Sequence, residues 1–263
     1  MKLNSTLLEI KCPAVEKKIR FFIKGYIEKF GFDGIVLGIS GGVDSSVVAA
    51  LACSAIGSNK VIGLCLPEEE TYSLKQNKDA KIIADKFNII LKTHDLSKIL
   101  QNFYNNLLVN NLNKRLKGNI KARTRMIFLY YYANKLNKLV CGTSDKSETM
   151  IGYFTKWGDG AADIAPIMSL YKTQVQKLAL YLGIPEKIAF KPPSPNLWIN
   201  QSAESELGLN YELIDLILYG LEHKMSINKI SKDLKLELDD VKKIRDKWFW
   251  SEHKRKGPIT INV

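Results

Sequence analysis

GIVLGISGGVDSSVVAALACSAIG, residues 34–57, carries the information that decides the fold class. Gly34–Ser40 is apolar and bounded by glycines, which predicts a buried strand. Ser45–Ile56 is rich in alanine and stops at Gly57, which predicts a helix. Between them lies SGGVDSS (Ser40–Ser46). Ser40, Gly41 and Gly42 let the backbone come close to a ligand and aim successive N–H groups into one concavity. The start of the helix adds its positive end, so the turn favours an anion. Asp44 beside a polyanion requires a divalent cation between them, and Mg²⁺ suits carboxylate and phosphate oxygens together. Neither G-x-x-x-x-G-K-[ST] nor G-x-G-x-x-G occurs in the chain.

Outward from this turn, helical and short apolar segments alternate. Upstream, Val15, Ile19, Phe22, Tyr26, Ile27 and Phe30 form the stripe of a helix over Pro13–Phe30, ended by Gly31. Downstream, strands are predicted at Val61–Leu66, Asn88–Thr93 and Leu139–Gly142, and helices at Leu74–Phe87, Leu96–Leu108 and Ile120–Leu136. Buried strands separated by helices give an α/β fold, a central parallel sheet flanked by helices on both faces. Its strand-to-helix loops then share the carboxyl edge, where ligands bind. Residues 153–166 and 187–208 read as long loops. Helices at Tyr211–Glu222, Ile227–Leu234 and Leu238–Phe249 make a helical C-terminal part, and His253-Lys254-Arg255-Lys256 follows as a basic tail. The whole chain, 1–263, reads as one domain, with a core over about 31–186 and a C-terminal part over about 187–263.

With 46% hydrophobic and 25% charged residues among 263, the composition excludes disordered and collagen-like chains. The net charge of +12 suits an anionic partner, nucleic acid and nucleotide included. Cysteines at 12, 53, 65 and 141 contain no C-x-x-C, against paired zinc knuckles and a redox pair. Reduced thiols and a cytoplasmic location are expected. No apolar run approaches the ~20 residues of a membrane span, and the first twenty residues do not read as a secretory leader.

SGGVDSS resembles the PP-loop of the N-type ATP pyrophosphatases, which cleave ATP between its α and β phosphates. GTSDKSETMIGYFTKWGDGAADIAPI (Gly142–Ile167) is similar to the NAD⁺ synthetase family within that group. Gly118–Met126 (GNIKARTRM), Leu170–Val175 (LYKTQV), Lys191–Trp198 (KPPSPNLW), Glu206–Gly208 (ELG) and Glu252–Arg255 (EHKR) follow in the order that family shows.

The resemblance implies an ATP-dependent amidation of deamido-NAD⁺ by ammonia, through an acyl-adenylate, by a homodimer that needs no nucleic acid and no membrane. It implies that Gly38, Ile39, Ser40, Gly41, Gly42, Val43, Asp44, Ser45, Thr143, Lys172 and Ser194 contact ATP. Asp44 and Glu148 would hold Mg²⁺. Arg123, Lys156, Asp163, His253 and Lys254 would bind the dinucleotide, with Arg125 as the alternative to Arg123. Asp159, in a Gly-Asp-Gly turn, would serve the ammonia. A glutamine amidase domain is not expected in this chain.

Three positions depart from the family's pattern. Leu66-Pro67 runs into Glu68-Glu69-Glu70 where many members carry an aromatic residue and a Gln. Ser202-Ala203-Glu204 stands where a T-D-E string often precedes Glu206-Leu207-Gly208. Pro195 takes a usual small-residue place. Another PP-loop enzyme acting on tRNA also suits the charge, but it would have no use for the Gly142–Ile167 stretch. A non-catalytic nucleotide sensor would need neither the full metal set nor the substrate set.

Overall fold

A computed structural model describes residues 2–71, 74–107 and 113–261. The stripe after Pro13 becomes helix α1 (Cys12–Phe30), closed by Gly31 at φ 70°, a left-handed value that glycine adopts without strain. Then come β1 (Ile35–Gly38), α2 (Val43–Ile56), β2 (Val61–Cys65), α3 (Leu74–Lys86), β3 (Ile90–Thr93), α4 (Ser97–Asn106), α5 (Lys114–Lys135) and β4 (Leu139–Val140). The four strands are parallel in the order β3-β2-β1-β4, with Ile35 of β1 opposite both Val61 and Leu139.

Successive strand side chains point to opposite faces, and the core divides accordingly. Ile35, Leu37 and Ile39 pack with α1, α2 and α3, whereas Val36, Ile62, Leu64 and Val140 pack beneath Phe128, Leu129 and Ala133 of α5. The α/β sandwich expected from the sequence is therefore the fold. β1 borders both β2 and β4, so the strand order reverses there. The loops after β1 and β4 diverge to opposite faces and leave a crevice at their carboxyl ends.

The chain continues through α6 (Lys146–Ile151), α7 (Lys172–Tyr181), α8 (Glu186–Ala189), α9 (Ala203–Leu207), α10 (Tyr211–Glu222), α11 (Ile227–Leu234), α12 (Leu238–Trp250) and α13 (Glu252–Arg255). A second apolar cluster joins Ile214, Ile217 and Leu218 of α10, Ile230 of α11 and Val241 and Ile244 of α12 to Leu3, Leu8 and Met150. The C-terminal helices thus grip α6, which carries Glu148.

Four details differ from the sequence reading. β3, at one edge of the sheet, is exposed rather than buried, with Ile90 at 54% exposure. α5 starts at Lys114, six residues early, where the Asn113 side chain accepts from the Leu116 N–H at 2.9 Å. Gly118 lies inside α5 because Leu197 passes so close that an added Cβ would sit 3.1 Å from the leucine Cβ. α6 and α7 were hidden inside motif stretches; α6 ends at Gly152, φ 67°, where a side chain would collide with Ser251. Of the expected helices, Leu108 lies outside the described residues, as do Tyr72 and Ser73 before α3. Among the described residues no helix is long and apolar enough to cross a membrane.

Candidate active site

The turn after β1 is built by its own side chains. Gly41 takes φ 74°, which a Cβ would strain. The Gly42 carbonyl accepts from the Ser45 hydroxyl at 3.1 Å and the Ser46 hydroxyl at 2.7 Å. Ser40 N–H donates to Ser45 Oγ, and Gly42 N–H to Ser40 Oγ, both at 3.3 Å. These bonds hold the loop open over the first turn of α2, whose leading N–H groups have no partner within the helix.

Behind the loop lies a charged cluster. Asp44 enters from the start of α2, Asp145 and Glu148 from α6, and one oxygen of each lies within 4.8 Å of the others. The Lys172 ammonium, wholly buried at the start of α7, meets Asp44 Oδ2 at 2.7 Å, Asp145 Oδ2 at 2.8 Å and Glu148 Oε1 at 2.8 Å. Asp145 Oδ1 also caps α6, accepting from the Glu148 N–H at 2.8 Å. Burial raises the Asp145 carboxyl to about 6 and pushes Glu148 up as well, against the pull of Lys172. For Lys172 burial works downward, but Asp145, Asp44 and Glu148 outweigh it and keep it protonated.

Asp44 Oδ1 is buried without a hydrogen-bond partner. An orphaned hard oxygen beside two more carboxylates fits a hard divalent cation. Asp44 and Glu148, each with a side chain about 21% exposed toward the cavity, are the natural holders.

A cavity of about 300 Å³ opens in front of the loop. Gly38, Ile39, Ser40, Gly42, Val43, Asp44, Ser45, Thr143, Glu148, Asp159 and Ser194, among the residues expected at the ATP, metal or ammonia site, line it. Gly41 and Lys172 are not on its wall: Gly41 turns its carbonyl toward Lys191, and the Lys172 ammonium sits among the acids. Asp159 is exposed at the cavity wall. Desolvation by the neighbouring protein raises its pKa, opposed by bonds from the Thr155 and its own backbone N–H and by Lys254 and Arg125.

Sequence reasoning missed two groups here, Asp145 and Lys191, and left open whether Arg123 or Arg125 acts. Asp145 and Glu148 stand at capping-box spacing, a signal that was available. Lys191, first residue of KPPSPNLW, donates to the Gly41 carbonyl at 3.3 Å and to Asp79 at 2.8 Å, bringing a positive charge to the loop. Arg125 lines the cavity and donates to the Leu66 carbonyl at 3.3 Å. Two residues on a helix differ by about 200°, so Arg123 faces outward instead.

The remaining expected residues gather outside the cavity. Arg123 donates to the Lys156 carbonyl at 3.3 Å, and the Lys156 ammonium to the His253 carbonyl at 2.5 Å. Asp163 accepts from the Val140 N–H at 2.7 Å and the Tyr130 hydroxyl at 3.2 Å. Lys254 gives its ammonium to the Gly152 and Phe154 carbonyls, and so braces the 152–154 segment.

The family described as NAD synthase matches residues 15–258. A protein of Hyperthermus butylicus named NH3-dependent NAD⁺ synthetase is 45% identical over 96% of this chain and 91% of its own length. Among solved structures, the NMN synthetase from Francisella tularensis superposes with a TM-score of 0.85 at 31% identity, covering 97% of this chain and all of that one. The NH3-dependent NAD synthetase from Campylobacter jejuni gives 0.81 at 29% identity, with the same coverage. The match spans the loop after β1, the acidic cluster and both cores together, and the chain belongs to the NAD synthase family.

Proposed function

We propose that the protein is an ammonia-dependent NAD⁺ synthetase, a ligase that uses ATP to amidate the nicotinate carboxylate of deamido-NAD⁺. One carboxylate oxygen attacks the ATP α-phosphorus, giving an acyl-adenylate and pyrophosphate. Ammonia then attacks the acyl carbon, AMP leaves with that oxygen, and the nitrogen loses a proton. The observation that carries this reading is the anion-binding turn at the β1 carboxyl end, set against two cavity-facing carboxylates, in a chain 45% identical to a protein of that name.

In this reading the N–H groups of Ser40–Ser45 hold the leaving phosphates, with Lys191 adding charge. Thr143 and Ser194 line the nucleoside side. Asp44 and Glu148 hold Mg²⁺, which when bound neutralises charge building on the departing pyrophosphate. Lys172 fixes both carboxylates in place. Asp159, with its raised pKa, accepts the ammonium proton. Arg123, Lys156, His253, Lys254 and Asp163 form the dinucleotide region beside the exposed α5 face of Ile127 and Tyr131, which supports a homodimer joined there. ATP chemistry and four unpaired cysteines support the cytoplasm as location.

Two measurements test this. Purified protein with ATP, Mg²⁺ and ammonium forms NAD⁺ and equimolar AMP from deamido-NAD⁺, and forms none when glutamine replaces ammonium. The NMN synthetase likeness makes nicotinate mononucleotide the necessary second acceptor; turnover of that acceptor alone would move the substrate assignment, and ADP as product would overturn the chemistry. Arg123→Ala raises the KM for deamido-NAD⁺ far more than that for ATP; equal effects would remove its substrate role.

A further inference from the structure

The acidic run Glu68-Glu69-Glu70, one of the departures from the family's pattern, has its partner inside the molecule. Lys121 of α5 is wholly buried, and its ammonium donates to Glu68 Oε1 at 2.9 Å, Glu70 Oε2 at 2.7 Å and the Leu197 carbonyl at 3.0 Å. An ammonium has three hydrogens, so it is saturated. Glu68 is buried beside it and also accepts from the Thr71 N–H at 3.1 Å, the Thr71 hydroxyl and the Glu70 N–H at 3.0 Å. Burial alone would raise the Glu68 carboxyl, but the bonds from Thr71 and Lys121 prevail and hold it below its ordinary value. Asn196 Nδ2 donates to the Thr71 carbonyl at 3.2 Å, a second tie between the same segments.

Both segments line the cavity: Leu66, Pro67 and Thr71 from one, Lys191 to Leu197 from the other, together with Ala122 and Arg125 of α5. Lys121 itself does not line the cavity. An apolar side chain would fill its place with less desolvation. What the lysine adds is direction, in the form of three fixed bonds to two loops more than a hundred residues apart in sequence.

We propose that Lys121 is a positioning residue that ties residues 66–71 to residues 191–197 and so sets the shape of the cavity that takes ATP. The proposal rests on the assignment of that cavity to ATP. It also explains the acidic run: Glu68 and Glu70 are counter-charges to Lys121 rather than contacts to the base.

The test uses two variants of the full chain. Lys121→Met/Glu68→Gln removes both buried charges together, so no buried ion is left unpaired; the Glu70 carboxylate that loses its partner is 40% exposed to water. Glu70→Ala removes one bond at a half-exposed position. ATP affinity is read directly by calorimetry, and KM is read for each substrate. The double variant is expected to weaken ATP binding by about tenfold or more, and Glu70→Ala by roughly threefold, the range for loss of coupled contacts. The KM for deamido-NAD⁺ stays within about twofold, and protease cleaves faster within 191–198. Unchanged ATP affinity in variants with native circular dichroism overturns the proposal, as does an equal loss for both substrates, which marks a general structural role. Should the double variant not fold, Glu70→Ala decides alone. If the unmodified protein binds ATP but makes no NAD⁺, the functional reading fails while the affinity comparison still judges Lys121.

Discussion

Asp44→Asn and Glu148→Gln each lower kcat by at least about a hundredfold, the scale of losing one electrostatic element in an active site. Both changes keep shape and remove one negative charge. The fold tolerates them because each side chain is about a fifth exposed toward the cavity and neither belongs to an apolar core. Lys172 keeps at least two carboxylate partners in either variant. The loss therefore falls on cation binding and on the leaving pyrophosphate. Titration with Mg²⁺ separates this from a packing defect: the variants need more Mg²⁺ for half-maximal rate, while their melting temperatures stay near that of the unmodified protein. Near-native kcat in both variants would remove these residues from the metal site. A large fall in melting temperature with an unchanged Mg²⁺ requirement would make them structural.

How much of this was legible in the sequence depended on the distance over which the information is spread. The turn after β1 is encoded within seven residues. Gly41 supplies the left-handed backbone, and Ser45 and Ser46 bond back to Gly42, so local chemistry predicts the anion site unaided. Glu148 is a hundred residues from Asp44, and only the resemblance of Gly142–Ile167 to a family brought the two together. Helix phase separated Arg123 from Arg125, which a motif read as a string treats as neighbours. Gly118 lies before the helix expected at Ile120–Leu136, yet it stands inside α5, where its missing side chain makes room for Leu197, a contact that no local pattern carries. Lys172 and Lys121 were least legible. A lysine is ordinarily exposed, and nothing near either in sequence announces that distant acids will surround it.

Lys172→Met is the change with the largest expected effect on stability. Lys172 is the first residue of α7, where a positive charge opposes the helix dipole, so its position answers to the acids and not to helix propensity. Its backbone N–H bonds Ser147 Oγ at 3.0 Å. Asp215 of α10 accepts from that same hydroxyl and from the Thr173 N–H at 2.9 Å, so the start of α7 is anchored whatever side chain stands at 172. Methionine keeps the unbranched apolar stem and removes the ammonium with its bonds to the acids. Three carboxylates then share a buried space without a counter-charge, a situation that costs about 3–5 kcal/mol when one partner of a buried pair is lost. Part of that is relieved as Asp145, already raised to about 6, takes a proton. For a chain of this size about 3 kcal/mol corresponds to a fall of roughly 6–12 °C in melting temperature. Divalent cation replaces the lost charge, so Mg²⁺ raises the melting temperature of the variant more than that of the unmodified protein, with no substrate present. A variant that melts within about 2 °C of the unmodified protein, less than 1 kcal/mol at this size, and is indifferent to Mg²⁺ would mean that the acids are not held as charges around Lys172. The electrostatic account of the site would then fall with it.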